Sequence, residues 1–166
     1  MTVHHHVDVT LPPRYAHRVD ADLLRDAVAA TLVSRRLRAP RAVSVTVADT
    51  RTLRRLNRVY RGDDQPTDIL SFNTDFPDLQ RPDGLRELGT LIIALPVAAR
   101  GARQRGVALD DELALLTVHG VLHLLGFDHA TRRQDAAMRR LERRALQRLG
   151  RPQAARTGAS SRYATT

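Results

Sequence analysis

The chain has 166 residues, enough for one domain with its own hydrophobic core, and it has no cysteine, which excludes disulfides, thiolate metal sites and cysteine nucleophiles and makes a reducing compartment the default. The formal net charge is +9, and every basic residue is arginine. The excess is uneven: residues 131–166 carry ten arginines against two acids, whereas residues 1–130 are nearly balanced.

In chain order, "VHHHVDV" (3–9) reads as a first strand. Asp20 is placed to cap a helix over about 21–37, with Leu24, Val28 and Leu32 at i, i+4 spacing, and Pro40 ends that segment. "VSVTV" (43–47) alternates cleanly and predicts a strand with one buried face. Asp49 caps a short helix carrying Leu53 and Leu56. "YRGDDQPT" (60–67) is turn-rich loop, "DILSF" (68–72) a strand, and 73–87 an acidic, proline-containing loop. "GTLIIAL" (89–95) reads as a buried strand, and Pro96 opens a helix that Gly106 ends. Asp110 is expected to cap the helix "DELALLTVHGVLHLL", which stops at Gly126, and a last helix covers about 131–149. The pattern predicts an α+β fold: about four strands in a mixed sheet, packed with about five helices. Residues 1–150 form the single domain, and 151–166 a polar, disordered tail. No apolar run approaches the roughly 20 residues that span a bilayer. The N-terminus has no apolar signal core, so the expectation is a cytoplasmic protein with no membrane association.

The chemistry is concentrated in "HGVLHLLGFDH" (119–129). His119 and His123 stand at i and i+4, so a helix puts both imidazoles on one face, a turn apart, where they can grip one metal ion. Gly126 lies three residues on, and glycine tolerates the left-handed conformation that ends a helix and turns the chain. That turn can return His129 as a third ligand. Three histidines with an open fourth position make the layout of a catalytic zinc. The aliphatic neighbours bury the other side of the helix. Asp128 reads either as a partner orienting a ligand or as a surface turn residue. The spacing also matches the longer zinc-protease pattern H-E-x-x-H-x-x-G-x-x-H at all three histidines and at the glycine. Gly120, however, stands where the protease has its general-base glutamate, which argues for different chemistry on a similar metal scaffold. The run His4–His6 is a weaker metal candidate, because alternate side chains of a strand point to opposite faces.

This segment resembles the signature of the YbeY family, the bacterial rRNA-maturation endoribonucleases. "NRVYRGDDQPTDILSF" (57–72) resembles that family's other shared segment, and the order of elements is similar across about residues 3–150. The resemblance implies an α+β fold, one zinc ion on His119, His123 and His129, and a metal-dependent, single-strand-specific endoribonuclease. Such an enzyme acts in 16S rRNA 3′-end maturation and ribosome quality control. It further implies rRNA and the small ribosomal subunit as partners, with small-subunit proteins and a ribosome-assembly GTPase as further candidates. The family's functional arginine falls on Arg61, whose guanidinium suits the negative charge that develops on a phosphodiester during cleavage. Thr67 and Asp68 are expected to fix the loop rather than do chemistry. Asn73 stands where the family usually has proline, and Thr90 where an acid is common.

In 131–149, Met138, Leu141, Ala145 and Leu149 form an apolar stripe, while Arg140, Arg144 and Arg148 repeat at i+4 on another face. That stripe reads either as a solvated helix face or as a phosphate-binding surface, which would give affinity without sequence choice. Two other functions stay open. A zinc hydrolase acting on a peptide or small amide would need a carboxylate base near the metal, for which Asp128 is the candidate within the motif. A non-catalytic ribosome-assembly factor would use the metal structurally, so zinc removal would unfold it and no RNA would be cut.

Overall fold

The alternating valines of 43–47 form the centre of the sheet. In the computed structural model, which describes residues 3–74 and 81–156, they lie in strand β2 (Arg41–Ala48), with Val43, Val45 and Val47 buried. Strands β1 (His6–Thr10) and β4 (Arg86–Ala94) flank β2, both parallel to it, and β3 (Ile69–Asn73) runs antiparallel on the far side of β4. The order is β1-β2-β4-β3. β4 begins at Arg86, inside the segment expected as loop, and Leu88 forms a bulge, since Ala42 pairs with Glu87 and Val43 with Gly89. The rest of that expected loop includes 75–80, outside the described residues. β1 begins three residues later than expected, so His4 and His5 precede the strand.

Five α-helices cover the sheet: α1 (Ala21–Ser34), α2 (Thr50–Arg61), α3 (Leu95–Arg105), α4 (Leu109–Leu124) and α5 (Arg132–Leu149). The mixed four-stranded sheet and five helices are the α+β class read from the sequence. One core joins Leu24, Val28 and Leu32 of α1 and Leu113, Leu116 and Val121 of α4 to Val43, Val45, Leu91 and Ile93 of the sheet. On the other face, Leu53 of α2 packs against Leu70 and Ala94. α5 packs outside α1 and α4 through Met138, Ala145 and Leu146. Its arginines 140, 144 and 148 are exposed. No helix among the described residues is long and apolar enough to cross a membrane.

Local chemistry sets the helix ends. Asp20 and Asp49 cap α1 and α2 by accepting the backbone N–H of Asp22 and Thr52, at 2.9 and 2.8 Å. α1 ends at Ser34 rather than 37, because Arg36 adopts a left-handed conformation, φ 54°, before Pro40. Asp110 is not the cap of α4. Ala108 is, and Asp110, Asp111 and Glu112 occupy the first turn, where negative charge complements the helix dipole. Alanine has no side-chain acceptor, so α4 lacks a side-chain cap, and two of these acids serve tertiary contacts: Asp111 accepts from Arg151 at 2.8 Å, and Glu112 pairs with Arg105 at 2.8 Å.

The chain from 151, read in the sequence as tail, has described structure as far as 156. Gly150 turns it back with φ 80°, residues Pro152–Ala154 form a 3-10 turn packed on α4 and α5, and Ala154 is fully buried. Residues 157–166 lie outside the described residues.

α4 comes very close to the sheet at one point. A Cβ on Gly120 would lie 2.8 Å from both Ile69 Cδ1 and Leu91 Cδ2. This is the position at which the zinc-protease pattern carries its glutamate. Here it faces packed aliphatic side chains, so the missing carboxylate is a packing requirement. Gly120→Glu is expected to lower stability by several kcal/mol. Overpacking alone costs about 1–3 kcal/mol, and an unpaired carboxylate would be buried as well. A shift of the urea midpoint by less than the error of measurement would contradict this account of the α4–sheet contact.

Candidate metal centre

α4 is buried along most of its length, and its sequence explains how it can also carry polar groups. Leu113, Leu116 and Val121 face the sheet, while His119 and His123 fall together on the side toward α5. At its end, Gly126 takes φ 92°, and the N–H groups of Gly126 and Phe127 bond back to the carbonyls of His123 and Leu122 at 2.9 and 3.0 Å. The chain reverses and His129 returns to the pair. Asp128 stabilises this turn: it is exposed, and its Oδ1 accepts the backbone N–H of His129 at 2.7 Å. Of the two readings of Asp128, this contact is that of the turn residue.

The three imidazoles converge. The Nε2 atoms of His119 and His123 are 3.0 Å apart, and ring centroids are separated by 4.6, 5.2 and 5.1 Å. One ligand nitrogen from each of His119, His123 and His129 lies within 4.8 Å of the others. A tetrahedral zinc with Zn–N of about 2.0–2.1 Å places its ligands roughly 3.4 Å apart, so small rotations of the rings would bring all three onto one ion. His119 and His129 are buried and His123 is half-exposed, which leaves one side of the cluster open. No other such cluster is found among the described residues. The His4–His6 run does not form one: His5 Nδ1 accepts the N–H of Arg41 at 3.2 Å, and His6 contacts Asp8 at 2.9 Å.

Glu142 is the residue that sequence reasoning missed. It is 1% exposed, and its Oε1 accepts from His119 Nδ1 at 2.7 Å. An Nδ1–H donated to a carboxylate leaves the Nε2 lone pair of His119 for a metal, the arrangement that orients histidine ligands in many metal sites. Its sequence signal is an acid four residues after Met138 and three before Ala145, inside the apolar arc of α5. Arg156 holds the same carboxylate by two bonds, Nε to Oε2 at 2.9 Å and Nη2 to Oε1 at 3.0 Å. With both oxygens engaged, Glu142 orients the His119 ring and is not placed to act as a base.

Protonation follows burial. His123 is pushed down to about 4, first by burial and then by the neighbouring His119 and His129. Burial also lowers His119, against the raising effect of Glu142. For Glu142, burial acts upward, but its bonds to His119 and Arg156 prevail and hold the carboxyl below its ordinary range. A neutral His119 therefore donates to an ionised Glu142, and neutral imidazoles are the form that binds metal.

Arg61 is the last residue of α2, exposed, just before the left-handed Gly62. It lines a cavity of about 460 Å³ with Asn57, Thr67, Asp68, Arg100 and Gln104, and none of the three histidines lines that cavity. In the loop beneath it, Asn57 Nδ2 donates to the Gln65 carbonyl at 3.1 Å, Thr67 Oγ1 to the Ile69 carbonyl at 3.4 Å, and the Asp68 main-chain carbonyl accepts from Ala94 N–H at 2.8 Å.

The family described as Endoribonuclease YbeY matches residues 14–150. The chain belongs to the YbeY endoribonuclease family. It is 43% identical over 147 residues to the Endoribonuclease YbeY of Roseiflexus castenholzii, covering 87% of this chain and 92% of that protein. To the Endoribonuclease YbeY of Alkalilimnicola ehrlichii it is 45% identical over 141 residues, covering 84% and 80%. The fold is similar to the solution structure of TM1509 from Thermotoga maritima, with a TM-score of 0.55 at 18% identity, covering 94% of this chain and 99% of that one. The two positions that depart from the family's usual pattern fall in different places. Asn73 Nδ2 donates to the Leu124 carbonyl at 2.9 Å and so ties the end of β3 to the last turn of α4. Thr90 alternates with Leu91, which faces α4, and therefore lies on the α2 side of the sheet.

A pH dependence follows. The folded pKa values of His119 and His123 lie below the ordinary 6.5, so the unfolded chain takes up these protons first. Their stabilisation is complete above 6.5 and is lost as pH falls from there toward about 4; the lowered Glu142 adds a further loss below 4.5. Metal-free protein should therefore show urea midpoints that fall between pH 7.5 and 5, and His123→Gln should flatten that fall. Equal midpoints at the two pH values would contradict neutral, buried imidazoles.

Proposed function

We propose that this chain is a zinc-dependent, single-strand-specific endoribonuclease acting in 16S rRNA 3′-end maturation and ribosome quality control in the cytoplasm. The observation that carries the reading is the convergence of three imidazole nitrogens within 4.8 Å, open on the His123 side, in a chain of this family. His119, His123 and His129 would hold the ion. An all-nitrogen set of three suits zinc, and a three-histidine set is used in catalytic rather than structural zinc sites. Bound there, the metal supplies Lewis-acid polarisation of the scissile phosphodiester.

The protein's own groups have distinct tasks in this reading. Glu142 keeps His119 in the tautomer that presents Nε2. Arg61, with Arg100 on the same cavity, supplies fixed positive charge for the non-bridging phosphate oxygens, and a guanidinium fork matches those oxygens better than a point charge does. The exposed arginines of α5 add phosphate affinity without base readout. The partner is rRNA in the small ribosomal subunit, with small-subunit proteins and a ribosome-assembly GTPase as candidates around it. Residues 1–150 act as one domain.

The test is cleavage of a short single-stranded RNA by zinc-loaded protein. Chelation should abolish cleavage and zinc should restore it. Arg61→Ala should lower cleavage by about 10²-fold or more, the usual cost of losing one transition-state donor. Zinc content should be unchanged, and stability should stay within about 0.5 kcal/mol, as for an exposed residue. Lysine at 61 should rescue poorly. Full activity in the chelated protein would overturn the metal-dependent reading, and full activity in Arg61→Ala would remove that arginine from the mechanism.

A further inference from the structure

Arg156 lies six residues beyond the stretch that matches the family, yet its side chain is only 7% exposed and ends at the metal centre. The segment that delivers it is anchored along its length. Arg151 Nη1 and Gln153 Nε2 both donate to Asp111 Oδ1 at the start of α4, at 2.8 and 3.1 Å. Arg105 of α3 donates to the Ala154 carbonyl at 3.2 Å, and Ala154 is buried in the core shared by α1, α4 and α5. Arg156 then places its guanidinium edge on Glu142 in a two-bond fork and also reaches Asp135 at 3.4 Å.

A buried carboxylate held only by a neutral imidazole would be poorly compensated. The fork supplies the missing charge and fixes the carboxylate plane, because each oxygen receives a guanidinium N–H. Oε1 is shared: it accepts from both Arg156 and His119 Nδ1. The direction of the His119 ring is thereby set by a residue that lies beyond the matched residues 14–150.

We propose that residues 151–156 form a latch in which Arg156 is a positioning residue: it orients Glu142, and through it His119, so that metal affinity depends on the seating of this segment. The inference rests on the metal reading of the three histidines. It makes residues 151–156 part of the metal site rather than a passive extension. Movement of the segment off Glu142, for example by competition from a partner that takes Arg156, would loosen the metal without touching a ligand.

The experiment is zinc affinity of the full chain, measured by chelator competition, for wild type, Arg156→Ala, Arg156→Lys and the exposed control Arg103→Ala. Loss of a group that orients a ligand typically lowers metal affinity by about 10–100-fold. That loss is expected for Arg156→Ala. Lysine should recover only part of it, since it keeps the charge without the fork, and Arg103→Ala should bind as wild type does. The visible spectrum of the cobalt-substituted protein should change in Arg156→Ala, which a merely structural anchor would not cause. If Arg156→Ala does not fold, Arg156→Lys carries the test, and its affinity must fall. Wild-type zinc affinity in a folded Arg156 variant overturns the latch alone. Absence of stoichiometric zinc binding by the wild type overturns the latch together with the metal reading beneath it.

Discussion

The hydrogen bond between His119 and Glu142 is the contact around which the site is arranged. It joins α4 to α5 at 2.7 Å, between side chains 2% and 1% exposed. A carboxylate that deep needs full compensation, because removing one partner of a buried pair leaves a charge with nothing to balance it. Much of the surrounding structure meets that need. α5 carries an acid inside its apolar arc, the chain folds back after Gly150, and Arg156 closes the network. The pair also sets the chemistry, since it leaves Nε2 of His119 beside Nε2 of His123.

The second constraint is that α4 serves two environments at once. Gly120 lets the helix approach Ile69, the first residue of β3, and Leu91 so closely that no side chain fits, and the last turn of the helix then lies where β3 ends. Asn73 then ties that strand end to the carbonyl of Leu124, one residue after His123. Packing against the sheet thus fixes the helix axis, and the turn at Gly126 fixes where His129 returns. The open side at His123 is what remains once the sheet, α5 and the turn have taken the others. Arg61 lines a separate cavity at the loop before β3, so Arg61 and the three histidines are held by different elements.

Much of this could be read in the sequence where the rule is local. The i, i+4 spacing of His119 and His123 and the glycine after them state the geometry of the histidine cluster, and the capping aspartates 20 and 49 mark helix starts. The alternation of 43–47 marks a buried strand. What escaped depends on contacts distant along the chain. Asp110 has the composition of a cap, but the cap position falls on Ala108, and the acids of the first turn answer to Arg151 and Arg105, which no local pattern reveals. Glu142 is one acid among arginines in α5, and only its phase relative to Met138 and Ala145 hints that it points inward. Residues 151–156, RPQAAR, carry no apolar periodicity, and their order comes from Ala154 entering a core built by other elements. The bulge at Leu88 likewise reflects pairing with β2, a partner more than forty residues away.

X-ray absorption at the zinc edge of the stoichiometrically loaded protein tests the central claim most directly. The account predicts three imidazole nitrogens at about 2.0–2.1 Å, with a light-atom ligand from solvent completing a four-coordinate shell. The three-imidazole scattering pattern should be reduced by one in His129→Ala. A shell dominated by carboxylate oxygens, or one unchanged when His129 is replaced, would contradict it.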